Sequence, residues 1–216
     1  MSLTLYLHPL SSYCHKVLIA LYENGTPFET VQVNLGDPQS ASAFKAIWPV
    51  GKFPVLRDGA SGRVVPESTG IIEYLALHHP GPVKLIPERP EAALEVRALD
   101  RFFDLHVHTH MQRIIGERLR PAESKDPYGL EQAKTALSVA LTLAEKKMAG
   151  RTWAAGEEFS MADCAAAPTL FFLDMAVAPL AENHPNLAAY LGRLKQRPSY
   201  ARALKEAEPY LQFVPR

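Results

Sequence analysis

Leu3-Thr4-Leu5-Tyr6-Leu7-His8-Pro9-Leu10-Ser11-Ser12-Tyr13-Cys14-His15-Lys16-Val17-Leu18-Ile19-Ala20-Leu21-Tyr22-Glu23-Asn24-Gly25 decides the fold of this chain. Leu3, Leu5 and Leu7 alternate with Thr4 and Tyr6, and both faces are largely apolar, which suits a short strand in a sheet covered on two sides. Pro9 stops the strand. Val17, Leu18, Ala20 and Leu21 then recur at helical spacing, and Asn24-Gly25 supplies a left-handed stop. A strand therefore runs through a tight polar turn into a helix N-terminus, where free backbone N–H groups and a partial positive charge collect. The turn offers two hydroxyls and a thiol. Such a place holds an anion, and a thiolate is an anion. Ser11-x-x-Cys14 looks like a Cys-x-x-Cys redox motif whose attacking cysteine has become serine; equally, Ser11 or Ser12 caps the helix and Cys14 is a small buried hydrophobe.

Outward from this unit, Phe28 to Val33 alternates and reads as a second strand, parallel to the first because a helix separates them. Gly36 to Ala46 is polar and loosely helical, a mobile surface piece. Val55-Leu56 and Arg63-Val64-Val65 flank a turn as a hairpin. Pro66-Glu67-Ser68-Thr69-Gly70 leads into a helix with Ile71, Ile72, Tyr74, Leu75 and Leu77 inward. The order β-α-β-α-β-β-α describes a small α/β domain with a mixed sheet over residues 1–80, followed by a linker at 81–90.

Residues 91–216 read as helical throughout. Glu91 to Arg120 is long, with Leu94, Leu99, Phe102, Phe103, Val107, Met111 and Ile114 on or near one stripe, and Leu130 to Ala149 follows. Ser160-Met161-Ala162-Asp163 is a capping-box variant, and Pro168 is expected to kink the helix it opens. Helices from Pro185 and near Tyr200 to Ala207 complete the domain, and Trp153 is expected in the core.

The 23 basic and 23 acidic side chains cancel, so no global field favours nucleic acid or anionic membrane. Two cysteines in 216 residues point to a reducing compartment rather than a disulfide scaffold. No secretion signal is expected, because no charged-then-apolar leader precedes the first strand. The apolar stretch Met161 to Ala181 is interrupted by Asp163, Pro168, Asp174 and Pro179 and reads as buried helix, not membrane span.

Three features converge on one site. Besides the Ser11–Cys14 turn, Lys52-Phe53-Pro54-Val55 has a proline opening a strand, where a cis bond would leave the Val55 backbone free to bind an extended peptide. Glu67-Ser68 lies at the mouth of a helix ready for a carboxylate. In this order, with an all-helical second half, the chain resembles the soluble glutathione transferases, a thioredoxin-like domain followed by a helical bundle, nearest to the serine-type zeta and theta classes.

The resemblance implies glutathione as co-substrate, no metal and a cytoplasmic homodimer, and places the catalytic serine on Ser11. It puts the cis-proline on Pro54, the cysteinyl-pairing backbone on Val55, the γ-glutamyl contacts on Glu67 and Ser68, and a glycyl contact on Lys52, with Phe53 alongside. Tyr13 interrupts the zeta pattern and adds a second hydroxyl; Ser12, one residue nearer the helix, is expected to cap it, and Cys14 to face the core. Asp100 is a candidate for reaching a partner's glutathione amine. Lowering a thiol from pKa ~8.5 by roughly two units takes about 2.7 kcal/mol, within reach of one serine hydroxyl and a helix end.

The attacked electrophile, small and hydrophobic by expectation, would lie against Leu10, Phe103, His106 and His110. His106 and His110 share a helix face at i,i+4, yet no third metal ligand follows at recognisable spacing. Two other readings compete: a glutathione-transferase-like binding or regulatory protein without turnover, and a thiol-disulfide enzyme using Cys14.

Overall fold

The alternation in the first segment buries Leu3, Leu5 and Leu7 of β1 (Leu3–Leu7) in a computed structural model that describes residues 2–215. β1 pairs in parallel with β2 (Phe28–Gln32) and antiparallel with β3 (Val55–Asp58), which carries the antiparallel β4 (Val64–Pro66); the sheet order is β2-β1-β3-β4. α1 (Ser12–Glu23) and α3 (Ser68–His78) pack together against the apolar face of this sheet. Residues 38–47 form a capped helix, α2 (Pro38–Ile47), rather than a loose piece. The Asp37 carboxylate accepts the Ser40 N–H at 2.9 Å, Pro38 presets the first turn, and Phe44 is buried with Val33 and Val55.

The second part begins with α4 (Pro90–Phe102), which continues through a π-helical turn (Phe103–His108) into α5 (Thr109–Leu119). α6 (Pro127–Met148), α7 (Met161–Ala176), α8 (Pro185–Gln196) and α9 (Pro198–Ala207) follow. α7 runs on through Pro168 as the central helix, buried from Met161 to Leu170. Its capping box closes as expected: Ser160 N–H donates to Asp163 at 2.8 Å, and the buried Tyr190 hydroxyl donates to the same carboxylate at 2.5 Å. The fold is thus a thioredoxin-like domain joined to a helical domain. Among the described residues no helix is long and apolar enough to cross a membrane.

Two expected core leucines face solvent. Leu77 is 75% exposed because it sits two residues, about half a turn, beyond the inward Leu75, and Leu94 is 68% exposed beside the inward Ala93-Val96-Leu99 row. One apolar cluster spans both parts, joining Leu5 and Ile19 to Leu170 and Leu194. At the far end of α1, Glu23 is held by Arg197 at 2.6 Å and by the Ser199 hydroxyl.

Candidate active site

The turn between β1 and α1 is built by its own hydrogen bonds. Ser11 N–H donates to the His8 carbonyl at 3.0 Å, and the Ser11 hydroxyl oxygen accepts the Cys14 N–H at 3.3 Å, so Ser11, not Ser12, is the N-cap of α1. The cap leaves the Ser11 hydroxyl proton uncommitted. Ser12 occupies the first helical position; its buried hydroxyl shares a 2.5 Å hydrogen bond with His108 Nε2 of the π-helical turn, across the boundary between the two parts. Burial holds His108 neutral, with its pKa lowered to about 4. Cys14 is fully buried, and desolvation pushes its thiol up to about 12. A thiol held protonated in the core is no nucleophile, which removes Cys14 from the catalytic set and with it the thiol-disulfide reading.

Tyr13 points the other way. It is half-buried, its ring lies 4.3 Å from the His108 ring, and its hydroxyl has no hydrogen-bond partner among the described residues. Burial, seconded by the Asp104 carboxylate, raises its pKa well above the ordinary tyrosine value. The hydroxyl therefore remains a donor at neutral pH.

Two clefts open beside it, and Tyr13 is the one residue common to both linings. The first, about 440 Å³, gathers Lys52, Phe53 and Pro54 on one side and Glu67, Ser68 and Thr69 at the start of α3 on the other. The Phe53–Pro54 bond is cis. Val55 begins β3, buried, opposite Tyr6 and Pro66. Glu67, the residue before α3, has φ of 67°, a left-handed conformation unusual for a side chain of this size and typical of ligand-holding positions. It turns the chain into α3, whose first residues Ser68, Thr69 and Gly70 line the cleft, and a helix N-terminus favours an anion. Arg101, Asp104 and Leu105 close the cleft from the helical side.

Asp100 is not available to a partner. It is fully buried, with Lys16 Nζ at 2.6 Å and the Thr69 hydroxyl donating at 2.8 Å. Lys16, 1% exposed, also donates to Asp104 at 2.8 Å and to Thr69 at 2.9 Å, tying α1, α3 and α4 together behind the cleft. The periodic apolar pattern around Lys16 conceals this cluster in the sequence; a lysine inside a run of buried helix was the available signal.

The second cleft, about 660 Å³, lies along α5 and the start of α6. Leu10, Phe103, His106 and His110 do not line it. Phe103 is buried in the core, His106 is exposed beside the Phe102 ring, and Leu10 and His110 are half-buried elsewhere. The π-helical turn explains the displacement: its wider turn moves the following residues out of phase with an uninterrupted α-helix, so the wall is made by His108, Thr109, Gln112, Arg113 and Gly116. The wall is mixed where an apolar one was expected: Leu130 is its one aliphatic side chain, joined by the Tyr13 and Tyr128 rings. Among the described residues no three His, Cys, Asp or Glu side chains gather as a metal site.

Fold and site together define a thioredoxin-like domain that offers an anion-holding helix start, a cis-proline loop and a polar hydroxyl to one cleft, with a helical domain supplying a second. Residues 5–83 match the glutathione S-transferase N-terminal domain and residues 102–198 its C-terminal domain, and the chain belongs to the glutathione S-transferase family. It is 31% identical to glutathione S-transferase Z2 of Arabidopsis thaliana, with 96% of this chain and 92% of that protein aligned. Glutathione S-transferase GstB of Escherichia coli is 28% identical over 91% of this chain and 95% of its own. Among solved structures, a glutathione S-transferase from Methylobacillus flagellatus with glutathione bound superposes with a TM-score of 0.86 at 28% identity, covering 94% of this chain and 98% of that one. One from Methylobacterium radiotolerans, in complex with glutathione sulfonate, gives 0.82 at 30% identity and 94% coverage of both.

Proposed function

We propose that this protein binds glutathione in the first cleft, holds its thiol as the thiolate at the start of α1, and directs it at an electrophile in the second cleft. The glutathione sulfur attacks an electrophilic carbon of the second substrate. A C–S bond forms, and the electron pair leaves with the displaced group or passes to a neighbouring atom that is then protonated. The observation that carries this reading is the position of Tyr13, shared by both clefts with its hydroxyl proton free. Tyr13 donates to the thiolate, and Ser11, capping α1 while its own proton stays free, is the second donor. Ser68 and the first amides of α3 take the γ-glutamyl carboxylate, Glu67 lies beside them, and Lys52 faces the glycyl end across Phe53, Pro54 and Val55.

In this reading residues 1–80 hold glutathione, residues 91–216 hold the electrophile, and 81–90 link them. The working form is a cytoplasmic homodimer, and the conjugating chemistry serves detoxification. Retention on immobilised glutathione, followed by assay with glutathione against haloaromatics, epoxides, peroxides and maleyl compounds, tests the proposal. Turnover with one member of the panel supports it. Retention without turnover on any of them favours the binding-protein reading, and failure to be retained overturns both.

A further inference from the structure

The second cleft is lined by two arginines and two carboxylates, and three of these four charges are already committed. Glu117 is buried, accepting the Asp126 N–H at 2.7 Å and facing Arg120 Nε at 3.3 Å. Arg120 also donates to the Ser124 carbonyl at 3.3 Å. Asp126 caps α6, accepting the Gly129 N–H at 2.9 Å against a helix N-terminus that offsets its charge. His108 contributes no charge, being neutral and bonded to Ser12.

Arg113 is the exception. It lines the cleft on α5 and makes no hydrogen bond or ion pair among the described residues. One turn away on the same wall, Gly116 leaves open space: a Cβ built there meets nothing within 4 Å. Gln112 adds an amide to that wall, and Gln132 adds one from α6. The cavity therefore presents an unpaired guanidinium, uncharged hydrogen-bonding groups and room, beside the apolar surface of Leu130 and the Tyr13 and Tyr128 rings. Gln112, Arg113 and Gln132 are solvent-exposed, so an uncharged hydrocarbon-like electrophile leaves them to water and gains nothing from them. A carboxylate satisfies them, and a guanidinium accepts it in a two-pronged arrangement.

We infer that the second cleft selects electrophiles bearing a carboxylate, with Arg113 as the residue that reads it. The inference rests on the proposed glutathione site, since the electrophile is defined by the thiol beside it.

The test uses two glutathione derivatives that share the peptide and differ at the far end of the S-substituent: S-hexylglutathione and S-(5-carboxypentyl)glutathione. Calorimetric titration of the full chain with each is expected to give about five- to tenfold tighter binding of the carboxylate form, the size of one partly exposed charge-assisted contact. In Arg113→Gln, whose melting temperature should match wild type because the side chain has no partner among the described residues, that preference falls to about one. Added salt should shrink the preference in wild type and leave the variant's ratio unmoved. Equal binding of the two ligands by wild type, or a preference that survives in Arg113→Gln, overturns the inference while leaving the glutathione site standing. Failure of both ligands to bind overturns the glutathione reading itself, and this inference with it.

Discussion

Replacing Tyr13 by phenylalanine removes one oxygen from the junction of the two clefts and leaves the ring that packs 4.3 Å from His108. The fold loses little, since the hydroxyl has no partner among the described residues. The bound thiolate loses a hydrogen bond to a charged acceptor, worth about 1.5–3 kcal/mol, which at 1.36 kcal/mol per unit raises the glutathione pKa by about one to two units. Ser11→Ala should behave differently. The Ser11 oxygen accepts the Cys14 N–H at 3.3 Å, so its loss costs about 1 kcal/mol of stability as a missing cap, and as the second donor it should move the thiol pKa less than Tyr13→Phe does. Ultraviolet absorbance of the thiolate, titrated against pH with glutathione bound, reads the shift directly; kcat/KM at pH about 6.5 should fall some 10- to 100-fold for Tyr13→Phe. A titration curve that moves for Ser11→Ala and stays put for Tyr13→Phe would refute the assignment and return the role to the serine.

Other consequences can be measured on the same protein. Ser68→Ala should raise the KM for glutathione several-fold with a smaller effect on kcat, because it removes a contact at the α3 start present before and during reaction; an unchanged KM would take Ser68 out of the site. Lys16→Met should destabilise the protein by about 3–5 kcal/mol in urea titration, since it leaves the buried Asp100 and Asp104 carboxylates short of their cation, and adding Asp100→Asn should recover part of the loss. His15 and His108 are both buried with pKa lowered to about 4, below the value near 6.5 of the unfolded chain. Between these values the unfolded state takes up protons that the folded state refuses. The stability these histidines contribute is therefore full above about pH 6.5 and is lost as pH falls towards 4, by about 1.4 kcal/mol per unit for each. Melting temperature against pH should show this decline, and His108→Asn should roughly halve it, leaving the share of His15.

Much of the architecture is written in local signals. Strand alternation in Leu3–Leu7, the stop at Pro9, the proline before Val55 and the Ser160–Asp163 box each specify their element from a few adjacent residues, and all of those elements form. The first cleft gathers Lys52, Pro54, Glu67 and Ser68 because each belongs to such a signal: a strand start or a helix start. The second cleft was illegible for a corresponding reason. It depends on helix phase, and nothing in Phe103-Asp104-Leu105-His106-Val107-His108 announces a π-helical turn, so a continuous 3.6-residue period directs attention to His106 and His110 instead of His108 and Gln112. Lys16 and Asp100 were similarly hidden. Their pairing joins α1 to α4 across more than eighty positions of chain, a relation that no local pattern carries.

That pairing, together with the single apolar cluster spanning both parts, bears on how the molecule comes apart. α1 carries the reactive turn at its start, buries Lys16 against α4 in its middle, and anchors Glu23 to Arg197 and Ser199 at its end. Nearly every residue from Cys14 to Leu21 is sealed between sheet and helices. Stripping the helical part away would expose that apolar flank and strand a lysine without its counterions. A chain with two recognisable halves should therefore melt in one calorimetric step, its van't Hoff and calorimetric enthalpies equal, with the capacity to hold glutathione vanishing at the same temperature.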